Sequence, residues 1–365
     1  MSRRIPLAAL AAATVSALIV TACSSSSSSS SGSSGSGGGT SSAAAANNSS
    51  PTVTLMVGGI DKQIYLPYQL AQQLGFYKKY GVNVQLSTEQ AGGVGAEDAM
   101  ASGQVDMAGA WYEHTIDFQI KGKSVEDVVQ LSGAPGEREM CANGTHITSP
   151  AQWKGKVLGV TDLGSGTDEL TQYLAARYHL TTKDFSRVAA GDGDTMIAAL
   201  QHGRIACGMT TQPTVSAIEK EKAGYMAFDL ATTGGVQQWL GGFVPTAGVL
   251  ALTSWVNSNK TTVQKVVDAL VATMHWINTH SAAQIADAMP ADFVSNSLIT
   301  KADYVTALAQ DKTQFLTDGI MPAGGPQVVE AIGRTAGTIT GSVDLTSTYT
   351  NSFATAANQL EGFTK

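Results

Sequence analysis

The sequence predicts an α/β fold of two lobes with the same internal construction, and three observations carry the prediction. Strand, turn and helix segments alternate over residues 53–108 and again over residues 157–209. The later parts of the two series align at an offset of 100 residues: Gly93 matches Gly193, Ala99 matches Ala199, Gly103 matches Gly203 and Val105 matches Ile205. Pro51–Lys365 leaves 315 residues, enough for a substantial core divided into two lobes.

In order, Val53–Val57 reads as a strand, followed by the turn Gly58-Gly59-Ile60-Asp61. Tyr65–Tyr80 reads as an amphipathic helix with Leu66, Leu70, Leu74 and Tyr77 on one side, ended by Gly81. Val82–Leu86 is a second strand; Gly92-Gly93 opens a helix to Ser102, and Gln104–Ala108 is a third strand. The second half repeats this: strand Val157–Val160, helix Asp168–Tyr178, strand Arg187–Ala190, turn Gly191-Asp192-Gly193, helix Asp194–His202 and strand Ile205–Met209. Each half is a βαβαβ unit, which builds a parallel sheet flanked by helices. Phe243–Leu252 is the return crossing to lobe one. Val263–Ile277 is a helix with one broad apolar face, Ser281 and Gln284 form a capping box, and Asp303–Leu316 and Gln327–Ile332 are further helices of a tail expected to pack on lobe one. The expected division is residues 51–149 and 237–365 for lobe 1 and 150–236 for lobe 2.

The first 50 residues read as export and tethering. Arg3-Arg4, the apolar run Leu7–Val20 and Val20-Thr21-Ala22-Cys23 make a secretory signal over residues 1–22; the run is too short to span a membrane. The tetrad resembles a bacterial lipobox, with Val20 where leucine is commoner, and places a lipid on Cys23. Ser24–Ser50 holds only Ser, Gly, Ala, Asn and Thr, so it cannot bury a core and acts as a tether of roughly 30 Å root-mean-square span. The expected location is the outer face of the cytoplasmic membrane. Loss of Arg3 and Arg4 leaves 20 basic and 29 acidic residues, a net charge of −9, with no basic cluster suited to nucleic acid. Cys141 and Cys207 remain and are expected to be separate buried thiols in different lobes; no His, Cys or carboxylate cluster has metal-ligand spacing, and no cofactor is expected.

The stretch Lys156–Tyr178 holds a strand, a glycine-broken turn and a helix start. Such a junction leaves backbone N–H groups pointing into the space above the strand, where open α/β sheets bind ligands. Glu169 breaks a dinucleotide fingerprint at Gly164-x-Gly166, no Gly-Lys-Ser/Thr follows, and Leu163-Gly-Ser-Gly-Thr167 is not a nucleophile elbow.

Several segments together resemble one family. They are Leu74-Gly75-Phe76-Tyr77 through Gly81-Val82-Asn83-Val84, Ala99–Gly109 (AMASGQVDMAG), His114-Thr115-Ile116, Trp153-Lys154-Gly155-Lys156 and Asp318-Gly319-Ile320-Met321-Pro322. Over residues 53–335 the chain resembles the solute-binding lipoproteins of nitrate, sulfonate and taurine ABC importers, to which binders of thiamine-pyrimidine precursors are related. Ala206-Cys207 departs from the Asp-Ala of many members, while Asp106 keeps the first-lobe equivalent as a structural residue. The resemblance implies a type II periplasmic-binding-protein fold, with two lobes closing on a ligand cleft. It also implies a monomer that passes a small solute to a permease and its ATPase without chemistry. An enzyme on the same fold, of pyrimidine-forming or dehydratase type, and a sensing module for a membrane receptor are the rival functions. His114, Glu113 and Asp61 are the candidates an enzyme would use.

Cleft residues are expected at strand C-termini and helix N-termini. In lobe one these include Asp61, Tyr65, Gly93, Trp111, Tyr112, Glu113 and Gly133; in lobe two, Ser165, Gly166, Thr167, Thr210, Thr211 and Gln212. Trp111 can sandwich a planar ligand or simply pack, and Glu113 can meet a cationic or N–H-bearing ligand or act as a solvated charge or cap. Thr210, Thr211 and Gln212 can hold a polar head or cap the helix begun by Pro213. Glu137-Arg138-Glu139 reads as surface, with Arg138 a partner for an anion if its loop covers the cleft. Helix N-termini favour an anionic ligand; the triplet Trp111-Tyr112-Glu113 and the scarcity of Lys and Arg favour an organic, neutral, cationic or N-heterocyclic one.

Overall fold

In a computed structural model of the protein, residues 50–89 and 93–363 are described. The signal segment, Cys23, the tether and the Gly92 turn lie outside them.

Two five-stranded sheets organise these residues. The first is ordered β2 (Asn83–Glu89), β1 (Thr52–Gly58), β3 (Met107–Trp111), β10 (Ala247–Leu252) and β4 (Val125–Gln130). The second is ordered β7 (Ser186–Ala189), β6 (Val157–Val160), β8 (Cys207–Thr211), β5 (Glu137–Ala142) and β9 (Gly224–Leu230). In each sheet the βαβαβ strands are parallel, and the fourth strand runs antiparallel to both neighbours. The α/β two-lobe fold is therefore present. The fourth slot is filled by exchange: β10 returns to the first sheet after the second lobe, and β5 enters the second sheet before the second βαβαβ unit begins.

The central parallel strands are held by apolar side chains on the core face. Val53, Leu55 and Val57 of β1 are fully buried, as are Leu158 and Val160 of β6. Asp106 supports this core from below, its Oδ2 accepting from Thr54 N and Thr54 Oγ1, both at 2.8 Å. The long helix Lys260–Thr279 buries Val263, Val266, Val267, Leu270, Val271, Met274 and Ile277, the face its spacing predicts. It packs on the helices Leu66–Gln73 and Ser352–Glu361. Ser281 and Gln284 form the expected capping box.

Several expectations are corrected. The helix expected over Tyr65–Tyr80 is broken, because Gly75 adopts φ 72° and separates Leu66–Gln73 from Phe76–Lys79. β3 and β8 begin later than expected, since the helix before each unwinds through a glycine turn at Gly103 and Gly203. β5 stands in the second sheet, so the chain crosses before Glu137 rather than near residue 150. The helix Thr233–Leu240 packs on β9, with Trp239 4.5 Å from Phe228, so the return crossing follows Leu240 rather than residue 236. Cys141 and Cys207 stand opposite one another on β5 and β8 and form a disulfide; both belong to the second sheet, so they are not separate thiols of different lobes. Glu137-Arg138-Glu139 is buried, not surface. The tail does not pack on lobe one alone. The helix Gly325–Ala336 lies against Gly166–Arg177 of the second lobe and touches Glu113–Ile120 of the first.

Candidate functional site

The C-terminal ends of β1, β3 and β6 converge on a cleft between the two sheets, as the α/β crevice rule requires. Two connected spaces share Trp111 and Gly166. A polar chamber with about 20 Å³ of free space is lined by Gly58, Lys62, Ile64, Tyr65, Trp111, His114, Glu137, Thr161, Ser165, Gly166 and Thr167. A neighbouring apolar chamber, again with about 20 Å³ of free space, is lined by Trp111, Glu113, Gly166, Glu169, Leu170, Val244, Pro245, Thr246, Val329 and Ile332.

Trp111 ends β3, and the helix Glu113–Ile120 starts two residues later, so Trp111, Glu113 and His114 are delivered together. Facing them is the N-terminus of the helix Gly166–Arg177. Gly166 is required by this approach. A Cβ there would fall inside the Trp111 ring and 2.7 Å from Glu113 Oε1. Around this N-terminus Thr161, Ser165 and Thr167 form a closed set of hydroxyls: Oγ···Oγ distances are 3.2, 3.0 and 2.8 Å, and Thr161 N donates to Thr167 Oγ1 at 3.0 Å. The set shapes the turn and satisfies itself.

The electrostatics are dominated by buried carboxyls. His114 Nε2 lies 3.1 Å from Glu97 Oε2 and 3.5 Å from Glu113 Oε1, and its Nδ1 lies 3.8 Å from Asp117 Oδ2. Burial alone would depress the imidazole, but Glu97, Glu113 and Asp117 together outweigh it and raise its pKa to about 10. His114 is therefore an imidazolium at neutral pH. Burial raises Glu97 to about 8 and Glu113 to about 7, with His114 opposing both shifts. Burial, and then repulsion from Glu113, pushes Glu169 well above the carboxylate range. In the polar chamber Lys62 Nζ pairs with Asp192 Oδ2 at 2.9 Å and donates to Gly58 O at 3.3 Å. Glu137 beside it is pushed up to about 8 by burial, and its Oε2 has no hydrogen-bond partner among the described residues.

Of the positions expected from sequence, Tyr65, Trp111, Ser165, Gly166 and Thr167 line the polar chamber, and Glu113 lines the apolar one. The others do not meet there. Asp61 is exposed, and its neighbour Lys62 faces inward instead. Tyr112 points away, its Oη 2.5 Å from Thr348 Oγ1 and its ring edge-on to Tyr349. Gly133 lies under Phe243 beside a separate cavity. Thr211 Oγ1 donates to Gly136 O at 2.6 Å, and Gln212 Oε1 accepts from Ser216 N and Oγ, so both serve local structure. Thr210 is buried in β8 and lines neither chamber. Gly93 begins the helix Gly93–Ala101, next to residues outside the description. Arg138 is fully engaged, its guanidinium donating to Asp311 at 2.9 and 2.6 Å and lying 3.6 Å from Asp229; it is not held for an anion.

Lys62, Glu137, Thr161 and Glu169 were not singled out as cleft residues. Glu169 stands one residue inside the expected helix start at Asp168. Glu137 had no local signal, because its strand resembles a surface charge run. Glu139, Cys141 and Cys207 bring potential metal ligands within 4.8 Å, a grouping that sequence spacing hides, but the disulfide leaves no thiolate to ligate.

Residues 64–284 match the NMT1/THI5 like family. Among curated relatives, the Bacillus subtilis (strain 168) protein YtlA, named as a candidate binding protein, is 23% identical over 232 residues, covering 63% of this chain and 67% of its own. A solved structure from Bordetella bronchiseptica RB50 is 27% identical with TM-score 0.78, covering 85% of this chain and 98% of its own. The alkanesulfonate-binding protein SsuA from Xanthomonas axonopodis pv. citri, solved bound to MOPS, is 15% identical with TM-score 0.66, covering 82% and 98%. Its likeness extends the two-lobed binding-protein fold across the described residues. With more than half its length matched, the chain belongs to the NMT1/THI5-like family.

Proposed function

We propose that this protein is an extracytoplasmic solute receptor that captures a small organic solute and delivers it to an ABC importer, held at the membrane by a lipid on Cys23 and acting as a monomer. The observation that carries the reading is the close approach of the two lobes across the cleft. Trp111 on one lobe and Gly166 on the other approach so closely that only hydrogen fits between them, at the ends of strands from both sheets. A sulfonate-binding fold neighbour and a binding-protein relative support the same reading. The sequence leaves a sulfonate or taurine-like solute and an N-heterocycle, such as a thiamine-pyrimidine precursor, as the two organic classes. The cleft favours the second, since Glu113, Glu137 and Glu169 offer acceptor oxygens to N–H groups, while Lys62 and His114 are already paired with carboxyls.

An enzyme on this fold is the weaker reading. His114 meets Glu113, but Glu97, Glu113 and Asp117 together raise it to about 10, so it holds its proton and does not serve as a base near neutral pH. The test is a thermal-shift and equilibrium-binding panel on the mature chain, with Cys23→Ser to keep it unlipidated, against nitrate, sulfonates, amines and pyrimidines. One solute bound and recovered unchanged is the expected result; conversion of the bound molecule would replace the receptor reading with an enzyme. At 100 times its Kd a ligand stabilises by about 2.7 kcal/mol, a readily measured shift.

A further inference from the structure

We infer that the solute carries a protonated amine or amidine, received by Glu113 and Glu169, with an aromatic or aliphatic body lodged against Trp111 and the apolar chamber. This rests on the solute-receptor reading and names the class of molecule that reading leaves open.

The chamber is chemically lopsided. Leu170, Val244, Pro245, Val329 and Ile332 supply apolar walls, and the ionisable side chains among the described residues of its lining are Glu113 and Glu169. Glu113 is 4% exposed, and its Oε1, which faces the Gly166 approach, lies 3.5 Å from His114 Nε2 and accepts no hydrogen bond among the described residues. Glu169 is 7% exposed and accepts a single hydrogen bond, from Thr338 Oγ1 at 3.2 Å. Two buried carboxyls with spare acceptor capacity, beside an indole face, make a receptor for a flat or compact cation.

The positive groups nearby are not available to an anion. Lys62 is tied to Asp192, and His114 is shared among Glu97, Glu113 and Asp117. At the second end of the cleft Glu137 Oε2 also lacks a partner, which adds a further acceptor for N–H groups. An anion in the apolar chamber would face two carboxyls. A cation there lets both ionise and form short charge-assisted bonds.

That ionisation gives the proposal its own signature. The groups facing Glu113 are His114 and Asp117 on its helix, Glu97 on the helix Gly93–Ala101, Glu169 on the helix Gly166–Arg177 and Tyr65 in the turn after β1. In the free protein Glu113 and Glu169 hold protons to higher pH than ordinary carboxyls, because burial disfavours their charge. Cation binding must expel those protons, so affinity rises as pH climbs from 6 to 8.

The experiment is calorimetric titration of the mature Cys23→Ser chain with benzamidine, benzylamine, benzyl alcohol and benzenesulfonate, at pH 6, 7 and 8 and in buffers of different ionisation enthalpy. The expected result is that the two cations bind at least tenfold more tightly than the alcohol and sulfonate, release protons and gain affinity with pH. Glu113→Gln and Glu169→Gln, each checked for an unchanged melting transition, then weaken the cations at least tenfold while leaving benzyl alcohol unaffected. Preference for benzenesulfonate or the alcohol, or binding without proton release, overturns the cation assignment and leaves the receptor reading standing. Silence of all four probes and of the wider solute panel overturns both.

Discussion

β5 and β10 occupy the same slot in their two sheets, fourth of five and antiparallel to both neighbours, yet they are built from opposite chemistry. β10 reads Ala-Gly-Val-Leu-Ala-Leu and is buried as any central strand would be. β5 reads Glu-Arg-Glu-Met-Cys-Ala and is buried at all six positions. Its charges divide the labour. Glu137 opens onto the cleft, Arg138 is neutralised by Asp311 and Asp229, and Glu139 sits at 0% exposure with neither carboxyl oxygen hydrogen-bonded among the described residues. One lobe therefore uses the slot for cohesion alone, while the other places part of the site there and needs ion pairs and a disulfide around it.

The largest effect should come from breaking the Arg138 pair. Arg138→Ala strands Asp311, which is 1% exposed, and is expected to cost about 3–5 kcal/mol in urea or guanidinium unfolding. Val249→Ala at the middle of β10 removes only methyl groups and should cost less, about 1–3 kcal/mol. Equal losses at the two positions would erase the distinction between the strands.

Removing the disulfide with the paired changes Cys141→Ala and Cys207→Ala should cost about 2–4 kcal/mol, since it cross-links residues 66 apart in sequence. β10 has no such bond to β3, so dithiothreitol should lower the melting temperature through the second sheet; exchange protection lost first in β5 and β8 would show it.

Glu139 sharpens the comparison by pH. Its pKa is raised well above 4.5 by burial, so the folded state binds more protons than the unfolded one. Stability contributed by that proton is present below about pH 4.5 and is lost as pH rises towards the folded-state value. Glu139→Leu, which makes β5 resemble β10, should stabilise the protein by about 1–3 kcal/mol at pH 8 and flatten its decline between pH 5 and 8. A variant less stable than the parent at pH 8 would show that the carboxyl has a partner.

Gly166→Ala is expected to cost at most about 1–3 kcal/mol of stability, because the added Cβ overlaps the Trp111 ring unless the lobes move apart. Ligand affinity should fall at least tenfold, since the new Cβ meets Trp111 and holds the lobes apart. Unchanged affinity in calorimetry would mean that the ligand-bound cleft does not close onto Gly166.

The same contrast explains what the sequence made legible. β1, β3, β6 and β10 are apolar runs, and the helix Lys260–Thr279 carries its face openly, so alternation and periodicity suffice. β4, β5 and β9 mix charges into buried strands, and their partners come from as far away as Asp311. Missing β5 also separated the two cysteines, which are neighbours only once that strand is in place. At the site, Trp111, Ser165, Gly166 and Thr167 were legible because strand ends and helix starts can be read locally. Lys62 was missed by one position in a turn, where nothing local fixes which side chain faces inward. Glu137 depended on a crossing that only the assembled sheets reveal.

The helix Gly325–Ala336 has a further consequence. Val329 and Ile332 close the apolar chamber, yet they lie beyond residue 284, where the match to the family ends. Part of the cleft wall is thus supplied by a segment belonging to neither repeated unit. Because the helix packs on both lobes, side-chain size at 329 and 332 sets the width of the chamber and the fit between the lobes together.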